Sequence, residues 1–138
     1  MRHLHFGKLF FVVFSLLFAC TVSARKPIKT LLITGQNNHN WQVSHVVLKQ
    51  ILENSGRFDV DFAVSPEHGK DMSGFVLDFS PYQLVVLDYN GDSWPDETNR
   101  RFLDYVQKGG GVVIYHAADN AFSKWPEFNK ICALGGWE

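Results

Sequence analysis

The sequence predicts an α/β protein built as a doubly wound, mostly parallel sheet. Two observations lead there. Short runs rich in Val, Ile and Leu alternate with segments of helical spacing, in the order β-α-β-β-α-β-α. The runs are apolar almost without interruption, as in strands covered on both faces. Composition agrees: 46% hydrophobic and 20% charged residues suit a globular domain. These values exclude a disordered tail, a collagen-like repeat, a coiled coil or a disulfide-rich miniprotein.

Ile28 to Thr34 (IKTLLIT) reads as a buried strand closed by Gly35. After the polar loop Gln36 to Asn40, Trp41 to Asn54 has helical spacing. Val43, Val46, Val47 and Ile51 are its apolar positions, with Leu48 and Leu52 beside them, and Gly56 is its stop. Phe58, Val60, Phe62 and Val64 alternate with Asp59, Asp61 and Ala63, which predicts a strand nearer an edge. Residues 65–81 read as loop. Leu84 to Leu87 is a third, central strand, followed by the polar loop 88–94. Ser93 and Asp96 have capping-box spacing, and Pro95 suits a first helical turn. That helix runs to about Lys108, with Phe102, Tyr105 and Val106 on one face, and Gly109-Gly110-Gly111 ends it. Val112 to Tyr115 is the fourth strand, 117–122 a loop, and Pro126 to Leu134 a helix. Four strands make a thin sheet, and the chain stops on a Gly-Gly turn, so the domain is expected to be truncated at its C-terminus.

The N-terminus reads as an address. Arg2 and Lys8 precede the apolar run Leu9 to Ala19, and Val22-Ser23-Ala24 fits a cleavage site. Residues 1–24 are therefore expected to be a secretory signal peptide, and residues 25–138 the domain, exported to the periplasm or beyond. Two alternatives stay open: an uncleaved anchor, and a lipoprotein acylated at Cys20, since Leu17-Phe18-Ala19-Cys20 loosely resembles a lipobox. Without lipidation no membrane attachment is expected after cleavage. Thirteen basic residues against fourteen acidic ones give a net charge of −1, so there is no electrostatic footprint for nucleic acid. Losing residues 1–24 would leave Cys132 as the single cysteine, hence no internal disulfide.

In open parallel sheets ligands bind beyond the carboxyl ends of the strands. That rule selects three loops: Gln36 to Trp41, Asp88 to Asp92, and His116 to Asn120. His116 follows the fourth strand directly and precedes Ala117-Ala118, small residues that permit a tight turn presenting the imidazole. It is the candidate acid/base, with His39 and Asp88 as its catalytic companions. Asn38, Trp41, Tyr89, Asn90, Asp92 and Asp119 are candidate substrate contacts, since amides and carboxylates suit hydroxyl-rich ligands and an indole can stack on a sugar face. His45 and His68 read as surface residues.

Cofactor motifs are missing. Gly35 is the lone glycine of the first βα loop, so the dinucleotide fingerprint is absent. There is no phosphate loop and no G-x-S-x-G, and Cys132 falls in a predicted helix behind the site. No nucleotide cofactor is expected. A divalent metal has only weak support, because no HExxH or close His-x-His spacing exists. No metal ligands are assigned.

Thr34-Gly35 followed by His39, the loop holding Trp94, and above all Gly109-Gly110-Gly111-Val112-Val113 running into His116-Ala117-Ala118, with Trp125 and Phe128 beyond, resemble the trehalose-utilisation (ThuA-like) family. The resemblance runs from about Lys29 to the last residue. It implies a flavodoxin-like sheet similar to class I glutamine amidotransferases, of which this chain would be roughly the N-terminal half. Those enzymes carry a cysteine at the turn where His116 stands, so the resemblance argues against glutaminase activity. It also implies a role in trehalose or glycoside utilisation, with His39 and His116 in the pocket. Two functions follow as expectations: an exported enzyme acting on a sugar or oligosaccharide with His acid/base groups, or a saccharide-binding module without chemistry.

Overall fold

The structure is a computed structural model that describes residues 25–133. The signal-peptide reading of 1–24, the Cys20 alternative, Leu134 and the terminal Gly-Gly lie outside the described residues. The strands are β1 (Ile28–Thr34), β2 (Phe58–Val64), β3 (Leu84–Leu87) and β4 (Gly111–Ile114). The helices are α1 (Trp41–Asn54), α2 (Asp96–Gln107) and α3 (Pro126–Cys132), and a 3-10 turn spans Ala118–Asn120. All strand pairs are parallel, in the order β2-β1-β3-β4. β2 is thus at an edge and β3 inside, as their sequence patterns predict. β4 begins one residue earlier than expected, at Gly111, and ends at Ile114.

Strand order dictates where the helices go. β1 to β2 steps one way across the sheet and β3 to β4 steps the other way. Crossovers of one hand then put their helices on opposite faces. Leu32, Val60 and Val86 point to the α1 face, where Leu48 and Leu52 pack on them. Leu31, Ile33, Val85 and Leu87 point to the other face, under Phe102 and Tyr105 of α2 and Phe128 of α3. Between β1 and β3 the winding direction reverses, and the loops after these two strands part at that point.

Two local expectations are corrected. In α1 it is Leu48 and Leu52 that pack on the sheet, whereas Val43, Val46, Val47 and Ile51 are exposed. Helical spacing identifies a face but does not say which of two adjacent apolar stripes meets the sheet. The Ser93/Asp96 capping box does not form. Pro95 is the N-cap, without a side-chain cap bond, and Asp96 and Glu97 offer only charge to the helix start. The segment 65–82 is irregular, as expected, yet it buries Phe75 and Phe79. Phe79 meets Phe102 and Tyr105 at 5.5 and 5.8 Å between ring centroids. Thr98 of α2 staples the segment: its hydroxyl donates to Phe75 O (2.7 Å) and accepts from Leu77 N (3.2 Å).

Candidate functional site

The first loop opens at Gly35, whose φ of +117° lies where side chains are strained. A Cβ there would sit 2.5 Å from the Ser65 backbone nitrogen. Glycine is therefore required for β1 to turn past the end of β2. Gln36 follows, buried at the switch point. Its Nε2 donates to Pro66 O (2.8 Å) and its Oε1 accepts from Asp92 N (2.7 Å). Asn90 N donates to Gln36 O (2.9 Å). Gly91 packs so closely on the Gln36 side chain that any Cβ would collide with it.

Asp88 stands at the end of β3, 1% exposed. Its Oδ1 accepts from Asn37 Nδ2 (2.9 Å) and its Oδ2 from Ser44 Oγ (2.5 Å). Asn37 in turn accepts the His39 backbone N–H on Oδ1 (3.0 Å). The buried carboxylate thereby fixes the loop that carries His39 and the first turn of α1. Both its oxygens are engaged inside the protein. In this structure it positions the His39 loop.

His39 and His116 come together. Their ring centroids are 5.0 Å apart with planes tilted by 41°, and both side chains are exposed. His116 is presented by the turn the sequence predicts. Ala117 takes φ +73°, is buried, and leads straight into the 3-10 turn, with Ala118 N bonded to Tyr115 O (2.8 Å). A left-handed alanine costs about 1 kcal/mol, so the surrounding packing has to hold it. The two imidazoles head a groove walled by Asn40, by Val43, Ser44 and Val47 on α1, and by Tyr115 just beyond β4.

A second cleft, of about 520 Å³, lies on the other side of the first loop. Asn37, Asn38, Trp41, Gln42, His68 and Asn90 line it. Asn38, Trp41 and Asn90 thus share a surface, as expected, but a different one from the histidine groove. Asn37 and Ser44, one in each, both bond to Asp88, which stands between the two.

The remaining candidates fall elsewhere. Tyr89 is fully buried. Its hydroxyl donates to Asp92 O (2.6 Å), its ring packs on Trp94 and Phe122, and burial raises its pKa above the ordinary tyrosine value. It is a core residue with no edge for a ligand, contrary to expectation. Asp92 holds the 65–70 loop, accepting from Gly69 N (2.6 Å) and pairing with His68 Nδ1 (2.9 Å). Asp119 has one carboxylate oxygen buried without a hydrogen-bond partner among the described residues. His68 is exposed, as expected. His45 is not: it is half-buried, its ring edge-on to Phe62 at 4.8 Å and its Nδ1 against Trp41 O. The Cys132 thiol on α3 is pushed up to about 11 by burial, with Asp119 adding to the effect, so it stays protonated and unreactive at neutral pH. Among the described residues no three His, Cys, Asp or Glu side chains gather as a metal-ligand set. No described helix is long and apolar enough to cross a membrane.

Sequence reading selects the loop that holds Gln36 and Asn37 but gives these two no role, and it misses Ser44. An Asn-rich loop hints at Asn37, but nothing in the sequence signals Ser44, whose partner lies 44 residues away.

No protein-family model matches the chain, and no curated protein matches it. A solved structure does: a crystal structure of a protein from Parabacteroides merdae, described as ThuA-like, is 94% identical and superposes with a TM-score of 0.80. The match covers 82% of this chain and 40% of that one, so this chain spans two-fifths of that protein's length. Over the part the two share, the chain is thus similar to a ThuA-like protein, which fits the resemblance carried by the Gly109-Gly110-Gly111 to His116-Ala117-Ala118 stretch.

Proposed function

We propose that this chain belongs to an exported protein of trehalose or glycoside utilisation. In this reading it acts on a sugar or oligosaccharide at the carboxyl edge of the sheet. One observation carries the reading: two exposed imidazoles, His39 and His116, stand 5.0 Å apart beyond the ends of parallel strands. One can take a proton while its neighbour gives one, which is what exchange at a glycosidic or sugar carbon requires. The cleft lined by Asn37, Asn38, Asn90 and Trp41 offers amides for hydroxyl groups and an indole for a sugar face. Asp88 has the supporting role, holding the His39 loop through Asn37. Export rests on residues 1–24 as a cleaved signal peptide.

The test is turnover of a panel of trehalose, glucosides and oligosaccharides by the chain and by its His116→Ala and His39→Ala variants. Product formation that falls at least 100-fold in His116→Ala supports the assignment. Turnover indifferent to that change overturns it. A second reading, a saccharide-binding module without chemistry, draws on the engagement of both Asp88 oxygens by Asn37 and Ser44. It expects saccharide binding with no product, and a His116 substitution that changes affinity only.

A further inference from the structure

The loops after β2 and β3 hold an imidazole–carboxylate arrangement apart from the histidine groove. Gln36 at the switch point ties both loops to itself. Its Nε2 donates to Pro66 O (2.8 Å), and its Oε1 accepts from Asp92 N (2.7 Å). Asp92 is fixed at its other backbone end too, since the Tyr89 hydroxyl donates to Asp92 O (2.6 Å). Its carboxylate then reaches the 65–70 loop twice. Oδ2 accepts from Gly69 N (2.6 Å), and Oδ1 lies 2.9 Å from His68 Nδ1. Among the described residues His68 is the one imidazole paired with a carboxylate.

Elementary bonding fixes the state of this ring. A carboxylate has no proton to give, so the short contact requires the proton on Nδ1. In the neutral ring Nε2 then keeps its lone pair, and it is the nitrogen left for a ligand. His68 lines the cleft of about 520 Å³ together with Asn37, Asn38, Trp41 and Asn90. Its side chain is 82% exposed and that of Asp92 26% exposed. A pair this open adds little to stability. What the carboxylate controls is the tautomer and the direction of the ring.

We propose that His68 and Asp92 form an acid/base dyad of the amide cleft, exchanging a proton with a hydroxyl of a saccharide seated there. In that step the ligand's O–H bond breaks and an N–H bond forms at Nε2. The oxygen keeps the electron pair, and the imidazolium charge is offset by Asp92. In the reverse direction Nε2 returns the proton. His68 is the group that meets the ligand, and Asp92 is a positioning residue. The inference rests on the reading of this cleft as a saccharide cleft, and adds to that side of the first loop a group that moves a proton. The groove of His39 and His116 has no part in it.

Asp92→Asn tells the dyad from an incidental surface pair. The Gly69 N–H still requires an oxygen at the Oδ2 position, so the new amide nitrogen takes the Oδ1 position and faces His68 Nδ1. An amide N–H donates, which makes Nδ1 the acceptor and moves the ring proton to Nε2. Long-range proton–nitrogen correlation spectra of the chain read the tautomer at about pH 8, where an ordinary imidazole is neutral. The His68 proton is expected on Nδ1 in the wild type and on Nε2 in Asp92→Asn. A wild-type ring that averages over both tautomers, or one that Asp92→Asn leaves unchanged, overturns the dyad. Trehalose is the probe of the cleft. It is expected to shift the His68 signals, and Trp41→Ala is expected to abolish that shift. His39 or His116 signals that move while those of His68 stay still overturn the inference and leave the saccharide reading standing. Histidine signals that stay still with trehalose and with every other sugar of the panel remove both. For a sugar that is turned over, His68→Gln and Asp92→Asn are each expected to lower kcat at least about tenfold with KM little changed. An unchanged kcat in both overturns the inference alone.

Discussion

Asn37 and Asp88 are 51 residues apart in sequence and joined by a 2.9 Å hydrogen bond at the switch point of the sheet. The carboxylate also accepts from Ser44, and Asn37 also accepts from His39 N. A buried acid thus sets the position of an exposed imidazole. Removing it leaves two donors unsatisfied. Asp88→Ala is expected to destabilise the protein by about 3 kcal/mol or more, since buried hydrogen bonds to a charged group are each worth roughly 1.5–3 kcal/mol. Asp88→Asn is expected to cost about half as much. Its oxygen still accepts from Asn37, and its amide can donate to Ser44 Oγ, a hydroxyl that can turn to accept. Urea unfolding measures both, and equal losses would argue against a carboxylate bonded to Asn37 and Ser44 together.

Gly35→Ala is expected to cost about 2 kcal/mol or more, combining a positive φ with a collision against Ser65. A thermal melt reads it. Gly69→Ala, also at positive φ (+77°) but with nothing near the added Cβ, is expected to cost only the backbone part, about 1 kcal/mol. An equal loss at both positions would mean that the Ser65 contact is immaterial.

Thr98→Val removes the donor to Phe75 O while keeping the shape, at an expected loss of about 1–2 kcal/mol. Thr98→Ser, which restores the hydroxyl, is expected to recover most of the bond's share. By contrast Ser93→Ala should stay within about 0.5 kcal/mol, because Ser93 makes no cap. A loss near 1 kcal/mol there would reinstate the capping box.

Cys132 supplies a pH dependence. Burial raises its thiol from the ordinary 9.0 to about 11. The folded chain therefore holds this proton where the unfolded chain has released it. Its contribution to stability is complete below pH 9 and declines as pH rises toward 11. Wild type is expected to lose stability relative to Cys132→Ser across that interval. Alkylation of Cys132 at about pH 8, just below the ordinary thiol value, should be slow until the protein unfolds, as mass spectrometry of the peptide would show. Rapid alkylation of the folded chain would contradict the burial.

Much of the fold is legible along the chain. The bounds of β1, α1, β2 and β3 follow from runs of apolar residues broken by Gly or polar loops, because local periodicity reports local structure. The carboxyl-edge rule also finds His39 and His116, 77 positions apart in the sequence, because it needs only strand direction. The pattern fails where pairing is remote. Phe75 and Phe79 sit in a segment without periodicity, and their burial depends on Thr98 and Phe102 of a later helix. Tyr89 and Asp88 look like polar loop residues by composition. Their burial follows from the loops that close over them.

Residues adjacent in the chain are enough to specify the α/β class, the order of elements, the central place of β3 and the presentation of His116. Three relationships arise only once the chain is folded. Asp88 clamps Asn37 and Ser44, Asn38 and Trp41 open into a different cleft from the histidines, and the Val43–Val47 flank of α1 is exposed. The reason is physical. Local conformation follows from short-range sterics and periodic burial. What a polar or apolar side chain meets is set by segments tens of residues away, and the chain order does not record that distance.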